Sequence, residues 1–150
     1  MLSRFGAELA RLHSSFDVKR FAVRELTETA FGVFFAEQPG RQDAVLFVAE
    51  QDGATVGYAF VRMGAASLEE LRSSGAWLHD LYVDPAVRGK SIGRQLLEAA
   101  INAARGLGSS SLMLSVSTRN KRAHRLFEEV GLRDTMTEMR MELKNESMPP

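Results

Sequence analysis

The 150-residue chain contains no cysteine. Disulfides, thiolate metal ligands and cysteine nucleophiles are therefore excluded, and the composition is compatible with a reducing cytosol. No apolar run approaches the roughly 20 residues that a membrane-spanning helix needs, and the N-terminus lacks the apolar core of a signal peptide. The sequence thus predicts a soluble, cytoplasmic protein that has no membrane partner.

The chain also lacks an excess of charge of either sign, because 19 Lys and Arg residues balance 19 Asp and Glu residues. A neutral chain has no overall electrostatic attraction for nucleic acid, so no nucleic-acid partner is expected. The length suits one ordinary domain with its own core. We expect this single domain to cover residues 1–143 and a frayed tail to cover residues 144–150.

Apolar periodicity predicts two N-terminal helices, over roughly residues 2–14 and from about Thr27 to Pro39, the second with Phe31, Phe34 and Phe35 as its apolar stripe. Two β-rich runs, AVLFVAE and ATVGYAFVRM, then flank Asp52-Gly53, which is a hairpin signal. After a connection that could be helical, strands are predicted over AWLHDLYV, SLMLSVS and EMRMEL, with helices starting at Ser91 and near Ala123 between them. This order predicts an α/β fold with a right-handed βαβ core behind an antiparallel hairpin.

The segment DPAVRGKSIG contains the Gly-Lys-Ser triplet that ends a Walker A phosphate loop. Asp84 stands where that loop needs its first glycine, and Pro85 and Val87 resist its curl. The GxGxxG signature is absent as well, so neither a P-loop NTPase nor a Rossmann site is favoured. A strand, a tight turn and a helix start still favour an anion, because first-turn amides lack carbonyl partners and the helix dipole adds positive potential. The alternative is a helix capped by Ser91 with a solvated basic rim.

A longer motif covers the same segment. Val83–Gly93 reads VDPAVRGKSIG and resembles V-x-P-x-x-[RQ]-G-x-G-x-[GA], the most diagnostic motif of the GNAT family of N-acetyltransferases. A second segment, Asn120–Leu132, resembles the family's N-x-x-A-x-x-L-Y-E-x-x-G-F. Two departures are the replacement of a usual glycine by Ser91 and of the usual tyrosine by Phe127. The chain also begins on its first helix, where the family normally has a strand, so that first strand is expected to be absent.

The resemblance implies the GNAT fold, a central mixed, mostly antiparallel sheet with splayed parallel strands at the centre, flanked by about four helices. It implies an N-acetyltransferase that transfers an acetyl group from acetyl-CoA to a primary amine of a small molecule or protein, by direct attack in a ternary complex and without a metal. Family dimers are frequent, and the region of Met136, Met139 and Met141 suggests a homodimer. A non-catalytic acyl-CoA-binding regulatory module is the alternative, which Phe127 favours.

The resemblance also implies which residues bind the cofactor. In the family, the amides of the 88–93 turn bind the pyrophosphate of acetyl-CoA, which here means Arg88, Gly89, Lys90, Ser91, Ile92 and Gly93. The strand before the turn implies that Leu81, Tyr82 and Val83 pair with the pantetheine arm. An amide near Leu81 would also donate to the thioester carbonyl. Asn120 would touch the pantetheine arm, although a helix N-cap explains it equally well.

The acceptor amine must lose a proton, and His79 is the first candidate base because a family member carries histidine at this position and its unperturbed pKa is near 6.5. Asp80 is the second candidate, either as a base through water or as a contact for a cationic substrate. Strand alternation predicts that Trp77, His79 and Leu81 share one face of the strand, and that Leu78, Asp80 and Tyr82 share the other.

The leaving thiolate is commonly protonated by the tyrosine that Phe127 replaces, and phenylalanine cannot donate a proton. Tyr82, Ser117, His124 or water is expected to supply it instead. His124 and His13 otherwise fit the surfaces of helices. The residues expected to form the acceptor pocket, in segments 2–36 and 63–76 and in the last strand, carry no recognisable motif.

Overall fold

The computed structural model describes residues 1–21 and 27–143. Its helices are α1 (Leu2–Phe16), α2 (Glu28–Ala36), α3 (Ile92–Gly106) and α4 (Lys121–Glu129). Its strands are β1 (Ala44–Gln51), β2 (Ala54–Gly64), β3 (Gly75–Val83) and β4 (Leu112–Met113). A single 3-10 turn, Pro85–Val87, joins β3 to the segment that leads into α3. No helix in these two ranges is long and apolar enough to cross a membrane.

The four strands form one mixed sheet in the order β1-β2-β3-β4. The predicted hairpin is present, since β1 pairs with β2 in antiparallel fashion around Asp52-Gly53. β2 and β3 are also antiparallel, whereas β3 and β4 are parallel and pair only through Ala76 with Leu112 and Trp77 with Met113. The predicted fold class is therefore confirmed, and the strands separate beyond Trp77.

The sheet has a core on each face, which makes three layers. The apolar stripe of α3 buries Leu97 and Ala100 against Ala59 and Val61 of β2 on one face. On the other face α1 and α2 cover the sheet, and this second core consists of Phe5, Leu9, Phe35, Tyr58 and Tyr82. Complete burial of a side chain such as Leu97 means that truncation to alanine costs about 2–5 kcal/mol. The two cores fix the sheet between the helices.

α1 and α2 cross at a glycine. A Cβ on Gly6 would lie 2.5 Å from Cδ1 of Phe31, so only glycine lets the two helices approach this closely. Thr27 begins α2 as its N-cap, because its hydroxyl accepts from the amide of Ala30 at 3.2 Å. The predicted aromatic stripe of α2 then faces the sheet, where Phe34 packs edge-on against Phe60 of β2 at 5.3 Å between ring centroids. This contact packs the apolar side of α2 onto β2.

Three sequence-based predictions of secondary structure differ from the structure. The connection around SLEELRSSG is a set of turns held by a bridge between Ser67 and Arg72, with Leu71 at a φ of 51°, and not a helix. The strand predicted over SLMLSVS forms only at Leu112–Met113. The strand predicted over EMRMEL is not formed, and Met139 is 90 % exposed. Alternating polarity predicts a face but no partner strand, and β4 is too short to offer one.

Candidate active site

The separation of β3 from β4 opens a cleft of about 480 Å³ between the end of β3, the start of α3 and α4. Most residues predicted to bind the cofactor border this cleft. They are Leu81, Tyr82, Val83, Arg88, Gly89, Ser91, Ile92, Gly93 and Asn120. Lys90 is the predicted residue that does not line it. The cleft is also bordered by Arg122 and Arg125 of α4, two cations to which the sequence motifs did not point.

The turn before α3 presents a row of free amides. Within the described residues, no backbone or side-chain acceptor takes the N–H groups of residues 89–94, and the first helical bond near the turn runs from Gln95 N to Ser91 O at 3.0 Å. Arg88 stabilises the turn, because its Nε donates to the carbonyl of Val83 at 3.0 Å. Free amides at a helix N-terminus together with nearby guanidinium groups suit a phosphate or pyrophosphate. The residues present therefore fit the pyrophosphate of CoA.

Ser91 has an unexpected backbone conformation. Its φ of 61° and ψ of 8° lie in the left-handed region, and its side chain makes no capping hydrogen bond. The alternative drawn from the sequence was a helix capped by Ser91; the residue does occupy the N-cap position of α3, but its hydroxyl does not cap the helix. The turn imposes the conformation, since Gly89 also has a positive φ, of 91°. Serine therefore occupies a position that costs L-residues about 1–2 kcal/mol.

A β-bulge lies in β3 at His79. Phe60 pairs with Asp80 and Val61 pairs with Leu78, so His79 has no partner across the strands. The bulge inserts one residue and reverses the alternation that follows it. Leu78 and Leu81 consequently pack on the same core beneath α3, and the predicted division of faces is wrong.

The bulge turns two consecutive side chains towards α2. A second cavity of about 300 Å³ lies there, and its lining includes His79 and Asp80. The remaining lining residues are Ala30, Phe31, Phe34, Phe60 and Arg62. Among the described residues, His79 alone borders both this cavity and the cleft at the start of α3. We call the larger space the cofactor cleft and the smaller one the acceptor cavity.

Comparison with known proteins identifies the family. A model of the acetyltransferase (GNAT) family matches residues 8–132. The chain belongs to the GNAT family. This confirms the relationship that the Val83–Gly93 and Asn120–Leu132 motifs predicted, and with it the assignment to a family of acetyltransferase enzymes.

Two relatives and one solved structure show the range of this GNAT similarity. Bovine (Bos taurus) thialysine N-epsilon-acetyltransferase is 29 % identical over 133 residues, which cover 87 % of this chain and 76 % of the relative. Mycothiol acetyltransferase of Thermomonospora curvata is 29 % identical over 113 residues, 75 % of this chain, but the chain spans only 34 % of that relative's length. The aminoglycoside acetyltransferase AAC(6')-Iy, in complex with the bisubstrate analog CoA-S-monomethyl-acetylneamine, shares the fold with a TM-score of 0.70 at 16 % identity, covering 89 % of this chain and 91 % of its own.

The imidazole of His79 in this GNAT domain stays neutral to a lower pH than an exposed histidine does. The surrounding protein removes part of the water around its imidazole, and the positive charge of Arg62 adds to this effect, so both lower the pKa of His79. The ring lies 5.7 Å from that of Phe60, between centroids, at the edge of the acceptor cavity. A neutral imidazole that faces both cavities can accept a proton.

The pKa of Asp80 is shifted in the opposite direction from that of His79. Burial raises the pKa of its carboxyl, and this effect outweighs the hydrogen bond from the Tyr58 hydroxyl, at 3.3 Å, and the charge of His13, both of which lower it. Asp80 therefore keeps its proton at higher pH than an exposed aspartate does. Burial thus favours the neutral form of both His79 and Asp80, and perturbed pKa values of neighbouring groups are common where protons are exchanged.

The replacement of the family tyrosine leaves the cofactor cleft without a phenol at position 127. Phe127 is buried in the core beneath α3 and also borders the cleft. Tyr82 borders the cleft, but its hydroxyl donates to Glu8, and burial raises its pKa. His124 instead lies 3.0 Å from the carboxylate of Asp134, and neither it nor Ser117 borders the cleft. Ser115, which also carries a hydroxyl, does border it.

His13 is a cleft residue that sequence reasoning placed on the surface of a helix. It borders the cofactor cleft, and its Nδ1 lies 2.9 Å from the carbonyl of Leu9 in the preceding turn of α1. A signal was available, because His13 follows the buried Leu9 by four residues and so lies on the same side of the helix.

Asn120 begins α4, and its side chain accepts from the amide of Ala123 at 3.2 Å. The N-cap explanation of this residue therefore holds, and its position on the cleft leaves room for a second contact.

Proposed function

We propose that this GNAT domain is an N-acetyltransferase that moves the acetyl group of acetyl-CoA to the primary amine of a small molecule, in a ternary complex. The observation that carries the proposal is the position of His79 between the cofactor cleft and the acceptor cavity. A residue that borders both can meet the acetyl donor from one side and the amine from the other. The reacting atoms would thus meet at the bulge of β3.

The cofactor side would work mainly through the backbone. When bound, acetyl-CoA supplies the acetyl group as a thioester. The amides of residues 89–94 would bind its pyrophosphate, with Arg122 and Arg125 adding positive charge. Beyond Trp77, the edge of β3 that faces β4 pairs with no strand of the described residues and would pair with the pantetheine arm. The amide of Leu81 would donate to the thioester carbonyl oxygen and stabilise the charge that develops on it.

The acceptor side would work through side chains. Amines are protonated at neutral pH, so His79 would accept the proton that the amine must lose, either directly or through water. Its lowered pKa keeps it neutral and ready for this proton. Asp80 would hold the amine near His79 through a hydrogen bond, and it remains the second candidate base. The thiolate of CoA would take its proton from water, either directly or through Ser115, whose hydroxyl would pass on one proton and recover another from water.

A small acceptor agrees with the size of the cavity. Its volume of about 300 Å³ is at the lower end for ligand pockets in proteins. The name of the bovine relative, a thialysine N-epsilon-acetyltransferase, points to a small amine as well. Both observations favour a small molecule over a folded protein as the substrate.

The experiment that tests this proposal measures thiol release from acetyl-CoA with a panel of primary amines. We expect at least one amine to accelerate CoA release above the rate of hydrolysis, with an acetylated amine as product. His79→Ala should lower kcat/KM by about 10²- to 10⁴-fold, the usual contribution of a general base, while the affinity for CoA stays the same in titration calorimetry. CoA binding without acceleration by any amine would contradict the proposal.

A non-catalytic acyl-CoA-binding module is the second candidate, and Phe127 is the residue that favours it. If loss of the proton donor limits the rate, Phe127→Tyr should raise kcat by a few-fold, up to about tenfold, without altering CoA affinity. An unchanged kcat would show that protonation of the thiolate does not limit the reaction. If neither the wild-type protein nor Phe127→Tyr acetylates any amine, the binding module is favoured.

A homodimer is a further proposal, supported by an exposed apolar row at the C-terminal end of the described chain. Met139, Met141 and Leu143 alternate with charged residues and are each more than 80 % exposed. Such a row can be covered by a second copy. Light scattering should give twice the monomer mass, and replacing the three side chains by serine should return the monomer. A monomeric wild-type protein would contradict the dimer.

A further inference from the structure

The acceptor cavity combines three aromatic rings with one cation. Phe31, Phe34 and Phe60 supply the apolar wall, and Arg62 supplies a partly buried guanidinium. Among residues 1–21 and 27–143, no carboxylate lies within ion-pairing distance of Arg62. Asp43 is held by Arg41 at 2.6 Å, and the hydrogen bond from Arg41, more than the charge of Arg62, lowers the pKa of Asp43. The cavity thus contains a cation that the described residues do not neutralise.

The sheet register places this cation away from the reacting end. Phe60 lies opposite Asp80, whereas Arg62 lies opposite Trp77, on the other side of the bulge. Two residues along a strand correspond to about 7 Å. An amine at His79 and Asp80 would therefore have Arg62 several bonds away, with the phenylalanine rings against the atoms in between.

The charges that line the cavity favour an acceptor that carries both a positive and a negative charge. A guanidinium in an apolar cavity loses hydration, and a carboxylate that binds it in two-pronged fashion offsets this loss. A second ammonium group would instead be repelled by Arg62. Among the described lining residues, Asp80 is the only acidic one, and it lies at the amine end.

Resting on the proposed function, we propose that the acceptor is a primary amine that also carries a carboxylate, joined by an apolar body, and that Arg62 binds this carboxylate. Arg62 also lowers the pKa of His79, but that effect is the same for amines with and without a carboxylate. The preference for a carboxylate therefore belongs in the binding of the acceptor, because a remote contact holds the substrate and the transition state alike. It should have no effect on the binding of CoA.

The test compares amines in pairs that differ by the carboxylate. The probes are ε-aminocaproate with hexylamine and para-(aminomethyl)benzoate with benzylamine, in which the amine and the carboxylate are separated by an apolar body. A hydrogen-bonded charge pair is worth roughly tenfold to a hundredfold in binding, so kcat/KM should favour the carboxylated member of at least one pair by about this factor. Arg62→Gln should abolish the preference through KM, and Arg62→Lys should keep part of it. Arg41→Gln, which removes an exposed arginine already paired with Asp43, is the matched control and should keep all of it.

The outcomes separate this inference from the proposed function. Equal kcat/KM within both pairs for the wild-type protein would overturn the inference while leaving the transferase intact. A preference that survives in Arg62→Gln would overturn the role of Arg62. Since the wild-type comparison needs no variant, it holds even if Arg62→Gln does not fold. No turnover with any amine would overturn the transferase, and this inference with it.

Discussion

The two cavities that meet at His79 are built in different ways. The cofactor cleft depends on backbone groups, namely the free amides of residues 89–94 and the unpaired edge of β3. The acceptor cavity depends on side chains, from Phe31 on α2 to Arg62 on β2. A backbone site needs only a few residues that permit its conformation, so it leaves a short motif in the sequence. A side-chain site can vary at every position, and it leaves none.

Among the substitutions that test this difference between the two cavities, the one at Gly89 is expected to have the largest effect on ligand binding. Its φ of 91° is unfavourable for a β-branched residue, and nothing lies within 4 Å of the Cβ that a substitution would add. Gly89→Val should therefore redirect the amides of the turn and weaken CoA binding by about 10- to 100-fold, as measured by titration calorimetry. Gly40→Val is the matched control, because Gly40 also has a positive φ, of 84°, and open space, but lies outside both cavities. Equal affinity in Gly89→Val and wild type would contradict a backbone-built site.

A smaller effect, confined to the acceptor side, is expected at Gly6. The new Cβ of Gly6→Ala would lie 2.5 Å from the ring of Phe31 and would displace α2 from α1. We expect a loss of about 1–3 kcal/mol in the free energy of unfolding, measured by urea denaturation, and a higher KM for the amine. Gly32→Ala, on α2 of the same helix pair, is the control, since its Cβ would make an ordinary contact of 3.5 Å with Ser3. A rise in the Kd for CoA in Gly6→Ala would show that the two cavities are not independent.

The smallest effect concerns Ser91 in the cofactor turn. Its left-handed φ of 61° is unfavourable for serine and comfortable for glycine. Ser91→Gly should stabilise the protein by about 1 kcal/mol in thermal or urea unfolding and should not weaken CoA binding. Weaker binding in Ser91→Gly would mean that the hydroxyl contacts the cofactor, so that the cleft depends on a side chain after all.

Local patterns predicted the helices, the hairpin at Asp52-Gly53 and the turn after Val83, since each depends on neighbouring residues. The bulge at His79 could not be predicted, because it arises from the pairing of β3 with a strand about 20 residues earlier in the chain. Strict alternation therefore assigned Leu81 to the wrong face. The extent of β4 and the missing strand over EMRMEL likewise depend on which strand edges are available.

The sequence predicted fewer residues of the acceptor cavity than of the cofactor cleft. Its lining comes from α2, β2 and β3, and Arg62 is separated from Phe34 by 28 positions in the chain. Periodicity identified the aromatic stripe of α2 as apolar, but not that two of its rings would form the wall of a cavity. The register between β2 and β3 brings Arg62, His79 and Asp80 to the lining of the same cavity.

The pH dependence of kcat/KM tests the central claim, that His79 takes the proton of the amine where the two cavities meet. Around His79 lie Arg62 from β2, Asp80 from β3 and, in the cofactor cleft, His13 from α1. Partial burial and the charge of Arg62 lower the pKa of His79. Protonation of His79 should therefore reduce kcat/KM only below about pH 6.5, the unperturbed pKa of histidine. The account predicts that this acidic limb is present in the wild-type profile and absent in His79→Ala. The same limb in both proteins would contradict it.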